Sequence, residues 1–549
     1  MGDEHDPYLL QQAHAEGWAD RFFAETIADA IVDREPTEPV VIKGGISPSG
    51  VAHLGNFNEI IRGWFVAEVL RERGVETVQV FTSDDRDPLR GLPRQLADVD
   101  GAIVGLGEVD AGALGRNLGA PYSTIPDPFG VRGSYAEHFT ALIESEVAQL
   151  QIPIRMESTT ALYESGAFDP YITQVLEDLE RAQDVLGRFQ DRVDESYVPF
   201  NAVCQSCGKI TETIEAVDLD ARTVTYRCTD LQIGDETMAG CGDSATVPFR
   251  AGKLPWRFEW PAEWDLLGVD FEPFGKDHAE GSWPSGVAIA REIYGIDVPV
   301  PMVYEWFTLD GAPMSSSAGN VITVEDLLQM IEPEVLRYFF AQSPQRARDL
   351  QLERLDQLVD AFDRFESAYF EPTGDAAVDA FAASAYPHVV DEVDPGVIRL
   401  PYTFAAVLGM TDDRELRREM ARSQGYIDEG TDPARIDRAM RRVEHARRWA
   451  QRMGNAYDYR LQPELPGVQL EPAVTDALDA VAAVVDDGAG GEAIQAALYD
   501  AARANDVEVS AVFSAGYELF FGQPQGPRLG EFLGELDAEF VAARLRQQR

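Results

Sequence analysis

PVVIKGGISPSGVAHLGNFNEIIR, residues 39–62, is the stretch from which the rest of the 549-residue chain is read. Val40, Val41 and Ile42 form a short apolar run, the mark of a buried strand. Gly44, Gly45, Pro48 and Gly50 break that pattern and force a turn. Beyond His53 the apolar residues Leu54, Phe57, Ile60, Ile61 and Trp64 return at helical spacing. The reading is strand, tight loop, helix. Such a loop and helix start present unpaired backbone N–H groups at the positive end of a helix dipole, a ready site for phosphate. Ser47, Ser49, His53 and Asn56 put small polar groups at the same mouth.

Working outward, residues 17–34 read as an amphipathic helix leading into this strand. Residues 75–81 read as a second strand. A helix between two parallel strands implies an α/β fold with a doubly wound, Rossmann-like parallel sheet. Ligands of such sheets sit at the carboxyl edge of the strands. Ser83-Asp84-Asp85-Arg86-Asp87 falls at that edge. Residues 134–191 read as mostly helical, with one amphipathic helix over 169–190. Residues 298–309 read as the last core strand, with Tyr304 and Glu305 near its middle. From Thr323 onward the chain is helical almost throughout.

Composition speaks of habitat. Lys+Arg is 46 and Asp+Glu is 95, a formal net charge of −49. The hydrophobic fraction is an ordinary 45%, which argues against disorder. A chain this acidic would ordinarily repel nucleic acid. In molar salt the Debye length is roughly 3 Å, so that repulsion fades. A protein adapted to high salt is expected, and RNA is not excluded as a partner. Only Lys43, Lys209, Lys253 and Lys276 are lysines. The acidic start MGDEHDPYLLQQ lacks a secretion signal, and no apolar run approaches the length of a membrane span, so a cytoplasmic protein with no membrane contact is expected.

All four cysteines fall in one segment, Cys204, Cys207, Cys228 and Cys241, spaced C-x2-C-x20-C-x12-C. Four thiolates suit one structural, tetrahedral Zn²⁺ better than a redox pair, which needs no distal cysteines. The long loop before Cys241 leaves the fourth ligand open. Trp256, Trp260 and Trp264, with Lys253 and Arg257 among them, read as a pocket wall or as a core strand using Trp as bulk. Arg435, Arg438, Arg441, Arg442, Arg447, Arg448 and Arg452 make one strongly basic helix, with Trp449 on a face shared by His445. That pattern suits an RNA backbone and stacked bases. Pairing within the helix to Asp437 and Glu444 absorbs only a minority of the charges.

These motifs resemble those of the class I aminoacyl-tRNA synthetases. His53-Leu54-Gly55-Asn56 resembles their HIGH motif, with Asn in the fourth place. GAPMSSSAGN, residues 311–320, resembles KMSKS, with Pro313 and Ala318 where the family carries lysines. GISPSGVAHLGN (45–56), SDDRDPLR (83–90), GKLPWR (252–257) and FGKDH (274–278) are similar to the class I lysyl-tRNA synthetases in particular, and the likeness runs nearly end to end.

The resemblance implies a nucleotide-binding domain over 1–133 and 251–310, split by a connective insertion over 134–250 that holds a zinc ribbon at about 197–247. It implies a KMSKS loop and stem-contact region over 311–390 and an all-α anticodon-binding domain over 391–549. The implied reaction is ATP-dependent activation of L-lysine to lysyl-adenylate, followed by transfer to the 3′ end of tRNA(Lys). His53, Asn56, Ser315, Ser316 and Ser317 would be catalytic. Ser47, Pro48, Gly50, His53, Gly55, Asn56, Met314 and Gly319 would bind ATP, with Mg²⁺. Gly45, Ser47, Asp84, Asp85, Trp256, His278 and Tyr304 would form the lysine site, with Asp84, Asp85 or Glu305 meeting the ammonium. Arg438, Arg441, Arg442, Arg448 and Trp449 would contact tRNA. Zn²⁺ would be structural, K⁺ is expected to cover the charge of the missing loop lysines, and a monomer is expected. Two alternatives stay open. One is a class I synthetase of the glutamyl or glutaminyl group, which would want arginine where this chain offers acids. The other is a non-catalytic tRNA-binding paralogue, suggested by the altered KMSKS loop.

Overall fold

The apolar run at Val40 opens strand β1 (Val40–Ile46), in the middle of a five-stranded parallel sheet. The computed structural model describes residues 7–8, 21–191, 193–233, 236–314 and 319–548. β2 (Thr77–Ser83), β3 (Arg155–Ser158), β4 (Val269–Gly275) and β5 (Val300–Tyr304) complete the sheet in the order β5-β4-β1-β2-β3. Every neighbouring pair is parallel, so all five carboxyl ends open on one edge. Chain order runs to one side of β1 through β2 and β3, then to the other through β4 and β5. That reversal marks the switch point where sheets of this class bind ligands. Helix Phe57–Glu72 packs on β1, β2 and β4, and helix Phe23–Val32 packs on that helix. Of the helix read at 17–34, residues 17–20 lie outside the described residues.

Four readings of where elements begin and end need correction. The second strand lies two residues later than 75–81, which carries Ser83 to the sheet edge. β3 pairs with β2 from Val80↔Arg155 to Ser83↔Ser158, so the chain up to Ser158 belongs to the sheet and not to an insertion beginning at 134. The helix expected over 169–190 is two, Asp169–Glu177 and Leu179–Gly187, broken at Asp178 with φ −120° and ψ 60°. The last core strand stops at Tyr304, and Phe307–Leu309 joins a separate small sheet with Ala312–Pro313 and Arg348–Leu350.

After β3 the chain builds a segment of helices and antiparallel strands around buried Tyr163, Phe168, Phe200, Tyr226 and Phe249. It returns along Gly252–Lys253, paired with Asn201–Val203. The tryptophan block is a helix, Trp256–Leu267, and not a strand. Its three tryptophans stand four residues apart and so share one face.

The chain divides into two compact units. Residues 1–325, 337–350 and 372–391 form one, which holds the sheet and the cysteine segment. Residues 326–336, 351–371 and 392–549 form the other, whose regular elements among the described residues are all helices. No helix among the described residues is long and apolar enough to cross a membrane.

Candidate active site

A cavity of about 510 Å³ opens at the carboxyl edge of the sheet. β1 contributes Gly45 and Ile46, and the loop beyond it contributes Ser47, His53, Gly55 and Asn56. Asp84 and Asp87 enter from the end of β2, Gly275 from β4 and Tyr304 from β5. Trp256, His278, Trp306 and Met314 close the remaining sides. A Cβ added at Gly45 would collide with the buried Thr82 hydroxyl, so a larger residue there would have to displace it. His53 folds back on its own loop. Its Nδ1 accepts the Gly55 N–H at 3.1 Å, and its backbone N–H donates to Asn56 Oδ1 at 2.9 Å. Burial lowers the imidazole to about 4, so the ring is neutral at physiological pH. With Nδ1 accepting, the ring proton sits on Nε2, a donor.

The floor is acidic. Lys43 reaches Glu263 Oε2 and Glu272 Oε1, both at 2.9 Å, and its side chain is 1% exposed. Trp260 and Trp264 also donate their indole N–H groups to Glu272, at 3.0 and 2.6 Å. Lys253 pairs with Asp87 and with Glu259, the latter at 2.9 Å. Asp87 also accepts from Ser47 Oγ at 2.8 Å. Asp84, buried and on the cavity wall, has an Oδ1 with no hydrogen-bond partner among the described residues. Burial, then Glu263 and Asp87, hold its carboxyl well above the usual range. The acids of this floor outnumber its two lysines, so it suits a cationic guest.

The structure gathers Gly45, Ser47, His53, Gly55, Asn56, Asp84, Trp256, His278, Tyr304 and Met314 around one cavity. Pro48, Gly50 and Gly319 are not on its wall. Asp85 turns away: it accepts from Ser158 Oγ at 2.5 Å, Thr159 Oγ1 at 3.1 Å and the Thr160 N–H at 2.7 Å, holding a helix start. Glu305 is paired with Lys276 at 2.5 Å. Ser315, Ser316 and Ser317 lie outside the described residues. Lys43 and Lys253, buried and each holding two carboxylates, are not free to move towards phosphate. The sequence reading missed Glu59. It accepts the Gly45 N–H at 2.9 Å and the Tyr304 hydroxyl at 2.9 Å, and burial raises its carboxyl to about 7. Its one sequence signal is its place three residues after Asn56, one helical turn beyond the phosphate loop.

Comparison with known proteins gives the family. A family model described as "tRNA synthetases class I (K)" matches residues 16–386. Lysine--tRNA ligase of Halobacterium salinarum is 55% identical over 552 residues, covering 100% of both chains. That of Haloarcula marismortui is 54% identical over 544 residues, covering 99% of each. The chain belongs to the class I lysyl-tRNA synthetase family. Among solved structures, a glutamate-tRNA synthetase of Elizabethkingia anophelis matches at 10% identity with a TM-score of 0.37, covering 93% of this chain and 99% of its own.

Two further features of this class I synthetase follow. Cys204, Cys207, Cys228 and Cys241 bring their sulfurs within 4.8 Å of one another, with Cys204–Cys241 at 3.6 Å and Cys207–Cys228 at 3.7 Å. Four thiolates about 2.3 Å from one zinc ion stand about 3.8 Å apart, so the donor set fits. Cys241 is thus positioned as the fourth ligand. The basic helix, Pro433–Met453, is corrected. Arg442 is buried and bonds Glu332 at 2.5 Å and Asp363 at 2.7 Å. Trp449 is 2% exposed and donates to the Leu352 carbonyl. Arg435 and Arg438 face Asp394, Arg447 faces Asp412, and Arg452 faces Asp326. These charges are met by acids outside the helix, at Glu332, Asp394 and Asp412 in loops and at Asp326 and Asp363 on other helices, and Arg442 and Trp449 are core residues and not RNA contacts. Arg441 and Arg448 remain exposed, two turns apart on one face.

Proposed function

We propose that the cavity activates lysine with ATP and that the chain passes the lysyl group to tRNA. The observation that carries this reading is Asp84, a buried carboxyl on the wall of a cavity whose acids exceed its cations. A lysine ammonium supplies the missing positive charge. Gly45, Ser47, Trp256, His278 and Tyr304 then surround the substrate. His53 Nε2–H, Asn56 and the start of the following helix hold the ATP phosphates, and Met314 closes from the far side. Mg²⁺ arrives with ATP and neutralises phosphate charge. No side-chain nucleophile is needed, because orientation and electrostatics suffice. A glutamyl or glutaminyl specificity would place like charge against Asp84 or leave it unpaired.

ATP–pyrophosphate exchange with each amino acid tests this directly. Lysine is expected to drive exchange, and glutamate, glutamine and arginine are not. Exchange with glutamate in place of lysine would refute the reading.

The cysteine cluster serves the tRNA step in this proposal, since Zn²⁺ closed by four thiolates has no open position for chemistry. Cys204→Ser is expected to lower bound zinc and to weaken tRNA charging more than pyrophosphate exchange. Equal loss in both assays, or protein purified without zinc, would count against it. Arg441 and Arg448 are the contacts of the basic helix retained for tRNA.

A further inference from the structure

The cavity poses an electrostatic problem. Among the described residues its wall contains no lysine and no arginine, while Glu59, Asp84, Asp87 and Asp277 all face it. The loop that would carry lysines has Pro313 and Ala318 in their places. Yet the reaction read above builds more negative charge on the departing pyrophosphate than Mg²⁺ alone offsets, so a protein cation is called for. Lys43 and Lys253 are committed, with side chains 1% and 3% exposed and two carboxylates each. Arg62 is fully buried and bonded to Asn58 and the Gln342 carbonyl.

Lys276 is different. It stands between Gly275 and Asp277, both on the cavity wall. Its side chain is 36% exposed, and its ion-pair partner Glu305 is 30% exposed. Its ammonium lies 4.6 Å from the ring centre of Trp306, which lines the cavity beside Pro313 and Met314. An ion pair this exposed is weak, and molar salt weakens it further. Besides the one hydrogen bond to Glu305, the second contact of Lys276 is the aromatic face of Trp306, which holds a cation without a directional bond.

We propose that Lys276 is a catalytic residue, which leaves Glu305 to neutralise the pyrophosphate and so does the work of the absent loop lysines. The proposal rests on the functional reading above. A lysine carboxylate oxygen attacks the α-phosphorus of ATP. The bond from that phosphorus to the bridging oxygen breaks, and its electron pair leaves on pyrophosphate. No proton moves, and Lys276 stays an ammonium throughout, paired with the oxygen where charge accumulates.

Lysine-dependent ATP–pyrophosphate exchange, run in KCl and in NaCl at equal ionic strength, tests this on the full chain. Lys276→Met is expected to lower kcat about 100-fold, the scale of one lost transition-state donor. Its KM for pyrophosphate should rise while that for lysine changes little. Lys276→Arg keeps the charge and should retain most of the rate. Ala318→Lys in the Lys276→Met background should restore much of the loss, which a merely structural role for Lys276 would not allow. Wild-type rates from Lys276→Met overturn the proposal, as does equal loss in Lys276→Met and Lys276→Arg. Full activity of Lys276→Met that collapses when Na⁺ replaces K⁺ also overturns it, and assigns the charge to a bound cation. Wild-type exchange with an amino acid other than lysine unseats the functional reading alone, since the same variants then test Lys276 against that substrate.

Discussion

Lys43→Met is expected to cost about 3–5 kcal/mol of stability, the penalty for leaving buried carboxylates without their cation. Lys43 lies under the cavity with Glu263 and Glu272 at 2.9 Å, and none of the three side chains is more than 4% exposed. Methionine fills similar space but offers no charge. The thermal midpoint should fall by roughly 4–7 °C. The pH dependence carries a definite sign. In the wild type burial alone would lower the Lys43 ammonium, but Glu263 and Glu272 hold it above its ordinary value. Its contribution is therefore present across neutral pH and is lost only as pH rises past the ordinary lysine range. In the variant the buried carboxyls titrate above their unfolded values. The folded state then binds more protons than the unfolded one, and stability falls as pH rises from about 4.5. The deficit against wild type should be smaller at about pH 5 than at about pH 8. A midpoint unchanged by the substitution would show that the pair contributes nothing net.

Asp84→Asn should weaken lysine binding by about 10²–10³-fold, because the substrate ammonium then enters a buried site without its charge partner. Burial, Glu263 and Asp87 hold the Asp84 carboxyl high in the empty cavity. An arriving ammonium favours the ionised form and expels the proton. Wild-type affinity for lysine should thus fall as pH is lowered, and the variant should lose that dependence. Titration calorimetry in two buffers of different ionisation enthalpy reads the proton directly: released by the wild type, absent in Asp84→Asn. The empty variant should be no less stable than wild type, since one surplus acid is gone. Unchanged lysine affinity would remove Asp84 from the site.

The core of the fold was legible because its signals are local. An apolar run at Val40, glycines at 44 and 45, and helical spacing from Leu54 specify strand, turn and helix within one short stretch. The cysteine cluster was equally local. What failed depended on partners distant in sequence. The arginines of the helix Pro433–Met453 read as an RNA face because Glu332, Asp363, Asp394 and Asp412, which absorb them, lie far away along the chain. Asp84 and Asp85 were not separable by composition. Adjacent residues leaving a strand point opposite ways, so one enters the cavity while the other holds the helix start after Ser158. Glu59 passed for an ordinary helix-surface acid, because only the fold brings Tyr304 and the Gly45 N–H to it.

The double acceptance by Glu59 has a thermodynamic consequence. One carboxylate ties β1 at Gly45 and β5 at Tyr304 to the helix whose preceding turn carries His53 and Asn56. On the proposed assignment of the site, the amino-acid side and the nucleotide side of the cavity both lean on this one carboxyl. Occupancy on one side is then expected to be felt by the other as a coupling free energy, and any such coupling is reciprocal. The factor by which bound ATP changes the affinity for lysine must equal the factor by which lysine changes the affinity for ATP. Glu59→Gln keeps the shape but has a single acceptor oxygen for the two donors, so one of the two bonds is lost, and the common factor should move towards one.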